Sequence, residues 1–137
     1  MRFAEPDDIR DLLEGAATWA IVGLGADQSR PAYGVAKFLQ SHGKNIIAIH
    51  PRAISVLDSP AYASLSEAVS SHSIDVVDCF VNSSRVGSII DEAISLGLPA
   101  VWMQLDVIDQ DAAQRAESHG MRVVMNRCPA IEWSNYV

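Results

Sequence analysis

The stretch Ile21-Val22-Gly23-Leu24-Gly25-Ala26-Asp27-Gln28-Ser29-Arg30-Pro31 holds the residues of this chain best suited to gripping a charged group. An apolar strand runs into a glycine turn, and the turn opens a helix. Gly23 and Gly25 can take backbone angles closed to other residues and let a ligand touch the main chain. Pro31 suits the first helical turn, where its missing N–H removes no hydrogen bond. The unpaired N–H groups and positive dipole end of that helix face the turn, which attracts a phosphate or diphosphate. Gln28 stands where a dinucleotide fingerprint has its third glycine, so a purely structural tight turn stays open as the other reading.

Elsewhere the reactive side chains do not converge. His42 and His119 each precede a helix-ending glycine, His72 falls in a loop, and His50 alone among the histidines reaches the presumed ligand rim. Asp75 and Asp78 are three apart at the start and middle of one strand, so they point to opposite faces rather than forming a catalytic pair. Asp78 requires a partner if buried. Cys79 sits in an apolar run and reads as core. Cys128 follows Arg127, whose charge favours thiolate. No acid, base and nucleophile come together, and the residues support no catalysis by the chain alone.

The elements that must position these residues alternate. Apolar runs at Trp19–Leu24, Ile46–Ile49, Val76–Val81, Ala100–Leu105 and Met121–Met125 suit parallel strands covered on both faces. Between them lie helical stripes: Ala32, Val35, Ala36 and Leu39, closed by Gly43; Val86, Ile89, Ile90 and Ala93, closed by Gly97; Ala112, Ala113 and Ala116, closed by Gly120. A first helix over Asp7–Glu14 packs outside the sheet. Pro51–Ser73 holds a short edge strand near Tyr62 and a small helix starting at Ser66. The pattern predicts an α/β fold, a three-layer doubly wound parallel sheet of order 3-2-1-4-5-6. Ligands of such sheets bind at the carboxyl ends of the strands. That rim comprises Gly23–Arg30, His50–Arg52, Val81–Ser84 and Gln104–Asp106.

A chain of 137 residues reads as one domain, with 49% hydrophobic and 20% charged residues as in ordinary globular proteins. No apolar run approaches a membrane span, and the start carries no targeting signature, so a cytoplasmic location is expected. The net charge of −7 opposes nucleic acid or an anionic membrane as partner. A protein partner or a second copy stays open, with Trp133 and Tyr136 as contact, against a tail that packs on its own sheet.

The end of the second strand reads Ile49-His50-Pro51-Arg52, with no carboxylate to accept ribose hydroxyls as an NAD site wants. Arg52 would instead fork onto a ribose phosphate, favouring NADP or coenzyme A, unless it is merely a solvated cation. From Thr18 to Trp133 the chain resembles the single-domain CoA-binding proteins, relatives of the N-terminal domain of the succinyl-CoA synthetase alpha subunit. The resemblance rests on Ala20-Ile21-Val22-Gly23-Leu24, Arg30-Pro31, His50-Pro51-Arg52, Asp75-Val76-Val77-Asp78, Val101-Trp102-Met103-Gln104 and Val123-Val124-Met125-Asn126-Arg127-Cys128. It implies a Rossmann-like fold that binds coenzyme A or a short acyl-CoA. Its site would comprise Gly23, Gly25, Ala26, Gln28, Ser29, Arg30, Pro31, His50, Pro51, Arg52, Val81, Asn82, Ser83 and Gln104. The diphosphate would lie on the Gly25–Arg30 turn, and Pro51 would pack on the adenine. Asn82 and Ser83 would flank the adenine or pantetheine. Where the family commonly has glycine, this chain has Asp106, a carboxylate on the rim that opposes an anionic cofactor. A non-catalytic carrier, sensor or partner module is the expected role. An NADP-binding reductase or redox-sensing domain and a scaffold without ligand are the alternatives.

Overall fold

The computed structural model describes residues 2–137. Six parallel strands form one sheet: β1 (Thr18–Val22), β2 (Asn45–Ile49), β3 (Ala61–Tyr62), β4 (Val76–Cys79), β5 (Ala100–Met103) and β6 (Arg122–Val124). Their order is β3-β2-β1-β4-β5-β6, as the alternation of runs predicts. The helices α1 (Pro6–Gly15), α2 (Pro31–Ser41) and α6 (Pro129–Tyr136) cover one face. The other face carries α3 (Leu65–Ala68), α4 (Ser83–Ser95) and α5 (Gln110–Ser118). This is a Rossmann-like α/β architecture.

Each face has its own core, because successive strand residues point to opposite sides. Trp19, Ile21, Val76 and Trp102 face α1 and α2. Ala20, Val22, Val77, Cys79, Val101 and Met103 face α4 and α5. The two tryptophans are fully buried with ring centroids 5.6 Å apart. Each satisfies its indole N–H, Trp19 on the Ala16 carbonyl at 3.0 Å and Trp102 on the Arg127 carbonyl at 2.8 Å. Their apolar area is thereby buried without an unsatisfied donor.

The strands are shorter than the apolar runs. Leu24 and Met125 are buried beyond the last ladder positions, so apolarity marks burial and not pairing. The small helix begins at Leu65 rather than Ser66. Ser64 accepts the Glu67 N–H at 3.2 Å, and Glu67 accepts the Ala63 N–H at 3.1 Å, a capping-box variant in which the carboxylate reaches one residue before the N-cap. His42 and His119 set their Nδ1 atoms 2.8 and 2.9 Å from the carbonyls of Phe38 and Arg115, tying down helix ends. The C-terminal tail forms α6, and Trp133 packs edge-on against Phe38, 5.8 Å between centroids. That is the tail-on-its-own-domain alternative.

β1 stops at Gly23, whose φ is +97°. A Cβ there would lie 2.4 Å from the Phe80 carbonyl oxygen, a backbone atom that cannot swing away. Gly34 lies inside α2, and a methyl group added there would meet nothing within 4 Å. Gly23→Ala is therefore expected to cost about 2 kcal/mol or more, from the left-handed angle and the clash together. Gly34→Ala should instead stabilise by roughly 0.5–1 kcal/mol. Urea unfolding of both variants checks the pair.

Candidate functional site

The chain leaves β1 toward α2 on one face and β4 toward α4 on the other, so the two helix starts diverge beside the ends of adjacent strands. A cavity of about 1250 Å³ opens there, larger than the roughly 300–1,000 Å³ typical of small-ligand pockets. Of the residues expected at the site, Gly23, Gly25, Ala26, Arg30, Pro31, His50, Pro51, Arg52, Val81, Asn82 and Gln104 line it. Gln28, Ser29 and Ser83 lie outside its lining. Ser83 is engaged structurally: its hydroxyl donates to the Asp106 carbonyl at 3.1 Å and accepts from Ile108 N–H at 2.9 Å. Asp27, Arg85, Glu92, Phe80 and Cys128 also line the cavity. Arg85 was legible, since it falls in the first turn of the helix that Asn82 opens.

The cradle has free donors. Among the described residues, the amides of Gly25, Ala26, Asp27 and Gln28 donate to no protein acceptor, and neither do those of Ser83 and Ser84 at the start of α4. Arg30 and Asn82, the residues flanking the two helix starts, make no side-chain cap. Such groups, with the dipole behind them, suit an anion. One amide is taken. Asp27 Oδ1 accepts the Ser29 N–H at 3.0 Å and the Ser29 hydroxyl at 2.6 Å. The Ser29 hydroxyl bond, then the amide bond, hold the Asp27 carboxyl below its usual range, so it stays charged beside the cradle.

Gly25 departs from the expectation of a special angle. Its backbone is ordinary, but an added Cβ would lie 3.2 Å from His50 Nε2. The His50 ring is set in turn by the Arg52 N–H, which donates to His50 Nδ1 at 3.2 Å. The two halves of the rim thus fix one another.

Three arginines reach the cavity of a chain with net charge −7. Arg30 has only a loose pair with Asp27, Nε to Oδ2 at 3.9 Å. Among the described residues, Arg52 and Arg85 have no carboxylate partner, whereas Arg2, Arg10, Arg115, Arg122 and Arg127 all do. Glu92 is occupied by Ser66, whose N–H and hydroxyl lie 3.3 and 2.7 Å from Oε2. Asp106 adopts φ +67°, an angle glycine takes freely and aspartate tolerates better than most side chains.

Beneath the cavity, Asp78 on β4 pairs in register with Ile21 and Trp102 and is fully buried. Its partner is Gln104, whose Nε2 donates to Oδ1 at 2.5 Å, while Oδ2 has none among the described residues. Burial pushes the Asp78 carboxyl up to about 8, against the opposing pull of the Gln104 hydrogen bond. Burial, then the neighbouring Asp78, pushes the Cys79 thiol up as well, leaving it inert. Asp75 is no partner of Asp78: its Oδ2 accepts the N–H groups of Ala17 and Thr18 at 3.1 and 2.9 Å.

A family model described as a CoA binding domain matches residues 17–134. This chain belongs to that CoA-binding family. The YneT protein of Bacillus subtilis (strain 168) is 28% identical over 121 residues, covering 88% of each chain. A solved structure from Pyrococcus horikoshii OT3 is 30% identical, with a TM-score of 0.89 over 96% of this chain and 92% of that one. One from Thermus thermophilus is 26% identical, with a TM-score of 0.88 over 97% and 99%. The residues of the cavity fit the family's ligand class: free amides for a diphosphate, and unpaired arginines for a further phosphate.

Two outcomes follow. Asp27→Asn removes a charge from the cradle while keeping an acceptor for Ser29; it should tighten coenzyme A binding roughly three- to tenfold, less at high salt, by calorimetric titration. The raised Asp78 means that the folded state keeps a proton the unfolded chain has lost. Stability should therefore fall as pH rises from about 4 to about 8, by at most about 1.4 kcal/mol per unit. Urea unfolding across that window should show the decline in the natural chain and not in Asp78→Asn.

Proposed function

We propose that this protein binds coenzyme A or a short acyl-CoA. The diphosphate would lie on the Gly25–Gln28 amides at the start of α2, with the ribose phosphate held by Arg52 and Arg85. The observation that carries the reading is the pairing of the unbonded Gly25, Ala26 and Asp27 amides with two arginines that lack carboxylate partners, inside one cavity of a markedly acidic chain. His50 and Pro51 would form the wall against the adenine.

In this reading the protein acts without catalysis, as carrier, sensor or partner module. Several potential acids, bases and nucleophiles support that role by already having structural duties. His42 and His119 hold helix ends, Asp75 holds the start of β1, and Cys79 is sealed in the core. Among the described residues no cluster of His, Cys, Asp or Glu is placed to hold a metal ion. No described helix is long and apolar enough to cross a membrane. Both cysteines are free thiols, which agrees with a reducing, cytoplasmic setting.

A thermal-shift panel of coenzyme A, dephospho-coenzyme A, NADP, NAD and ATP tests the reading. Coenzyme A should raise the melting temperature most, and its dephospho form distinctly less. Arg52→Ala should weaken coenzyme A about tenfold or more, since a charge-assisted phosphate contact is lost. A larger shift with NADP would transfer the assignment to the nicotinamide cofactor.

A further inference from the structure

We propose that Glu92 selects the base of the bound nucleotide, its free carboxylate oxygen accepting a hydrogen bond from the exocyclic amine of adenine. The inference rests on the coenzyme A reading and names the residue that would recognise the adenine within it.

α4 turns one stripe toward the sheet: Val86, Ile90 and Ala93, all buried. The adjoining stripe, Arg85, Ile89 and Glu92, lines the cavity and has the i, i+4, i+7 spacing of a single helix face. Its members differ in kind. A cation stands at the helix start, an aliphatic side chain follows one turn on, and a carboxylate comes two turns on. Seven residues of helix advance about 10 Å. That is the reach of a nucleoside 3′-phosphate from its phosphorus to an amine on the far edge of the base. The same cavity is lined by Pro51 and the half-exposed Ile54 after β2, and by Ala63 and Ser64 after β3. A flat base set against Ile89 would bring its amine to Glu92 while its ribose phosphate meets Arg85.

Glu92 is held ready for such a donor. The Ser66 N–H and hydroxyl donate to Oε2 at 3.3 and 2.7 Å, which fixes the carboxylate from the first turn of α3. Among the described residues, Oε1 accepts from no protein donor and no cation pairs with Glu92. A carboxylate in a cavity that gathers phosphates opposes the ligand unless a donor meets it. The other two carboxylates there serve the backbone: Asp27 holds Ser29, and Asp106 takes φ +67°. Glu92 uses one oxygen on Ser66 and leaves the other for the cavity. An adenine amine would give that oxygen a hydrogen bond to a charged acceptor, stronger than one between neutral groups. A base without the amine would leave it unmet.

The test is calorimetric titration of the full chain with coenzyme A and with its desamino analogue, in which hydrogen replaces the adenine amine. The natural chain should bind coenzyme A about tenfold more tightly than the analogue. In Glu92→Gln the Ser66 donors hold the amide oxygen and turn its NH2 toward the cavity, so the acceptor is lost. The preference should then shrink to about twofold or less. The charge removed with Glu92 acts on both ligands alike and cancels in the ratio. Equal affinity of the natural chain for the two ligands needs no variant to be read, and it overturns this inference while leaving the coenzyme A reading in place. A preference that survives unchanged in Glu92→Gln overturns the assignment to Glu92. If neither ligand binds the natural chain, the coenzyme A reading falls and this inference falls with it.

Discussion

At Gly23 the chain leaves β1 so close to β4 that one more carbon would stand 2.4 Å from the Phe80 carbonyl oxygen. The rest of the site depends on that approach. It lets the Gly23 N–H donate to the Ile49 carbonyl at 2.8 Å, while the Phe80 N–H donates to the Val22 carbonyl at 2.9 Å. The ends of β2, β1 and β4 are thereby bound into one ledge. From the ledge α2 departs to one face and α4 to the other, and a crevice between them is unavoidable. A sheet whose chain kept to one side would have no such opening.

The crevice is electrostatically contested. Free amides, two helix starts and three arginines draw an anion in, while Asp27 and Asp106 oppose it. Asp27 plays two parts, since its carboxylate shapes the loop through Ser29 and repels the same phosphate the loop is built to receive. Asp106 meets a backbone demand for φ +67° where glycine would serve at no electrostatic penalty. Both carboxylates moderate the grip on an anionic ligand without altering the fold.

How much of this is readable from the residues depends on the range of the forces involved. Strand order and layering are legible because alternating apolar runs and helical stripes leave few packings open. Strand ends are not: Leu24 and Met125 are as apolar as their neighbours, and pairing stops at backbone turns that hydrophobicity does not mark. The start of α3 lies at Leu65, one residue before the expected Ser66, although Ser64 and Glu67 stand at the spacing of a capping box. In the site, the glycine turn and Arg52 are visible as local motifs. Ser83 departs from its expected place because its hydroxyl is held by residues more than twenty positions away, at Asp106 and Ile108. The tie between Asp78 and Gln104 joins neighbouring strands, so no spacing along the chain announces it.

The central claim is that main-chain N–H groups at the two helix starts receive the phosphates of the ligand. Amide chemical shifts during titration with coenzyme A follow those groups one by one. The account predicts that Gly25, Ala26, Asp27 and Gln28 move furthest, with Ser83 and Ser84 moving next, while the far ends of the strands around Asn45 and Ala100 stay still. Saturating coenzyme A that leaves the Gly25–Gln28 amides unmoved would contradict it.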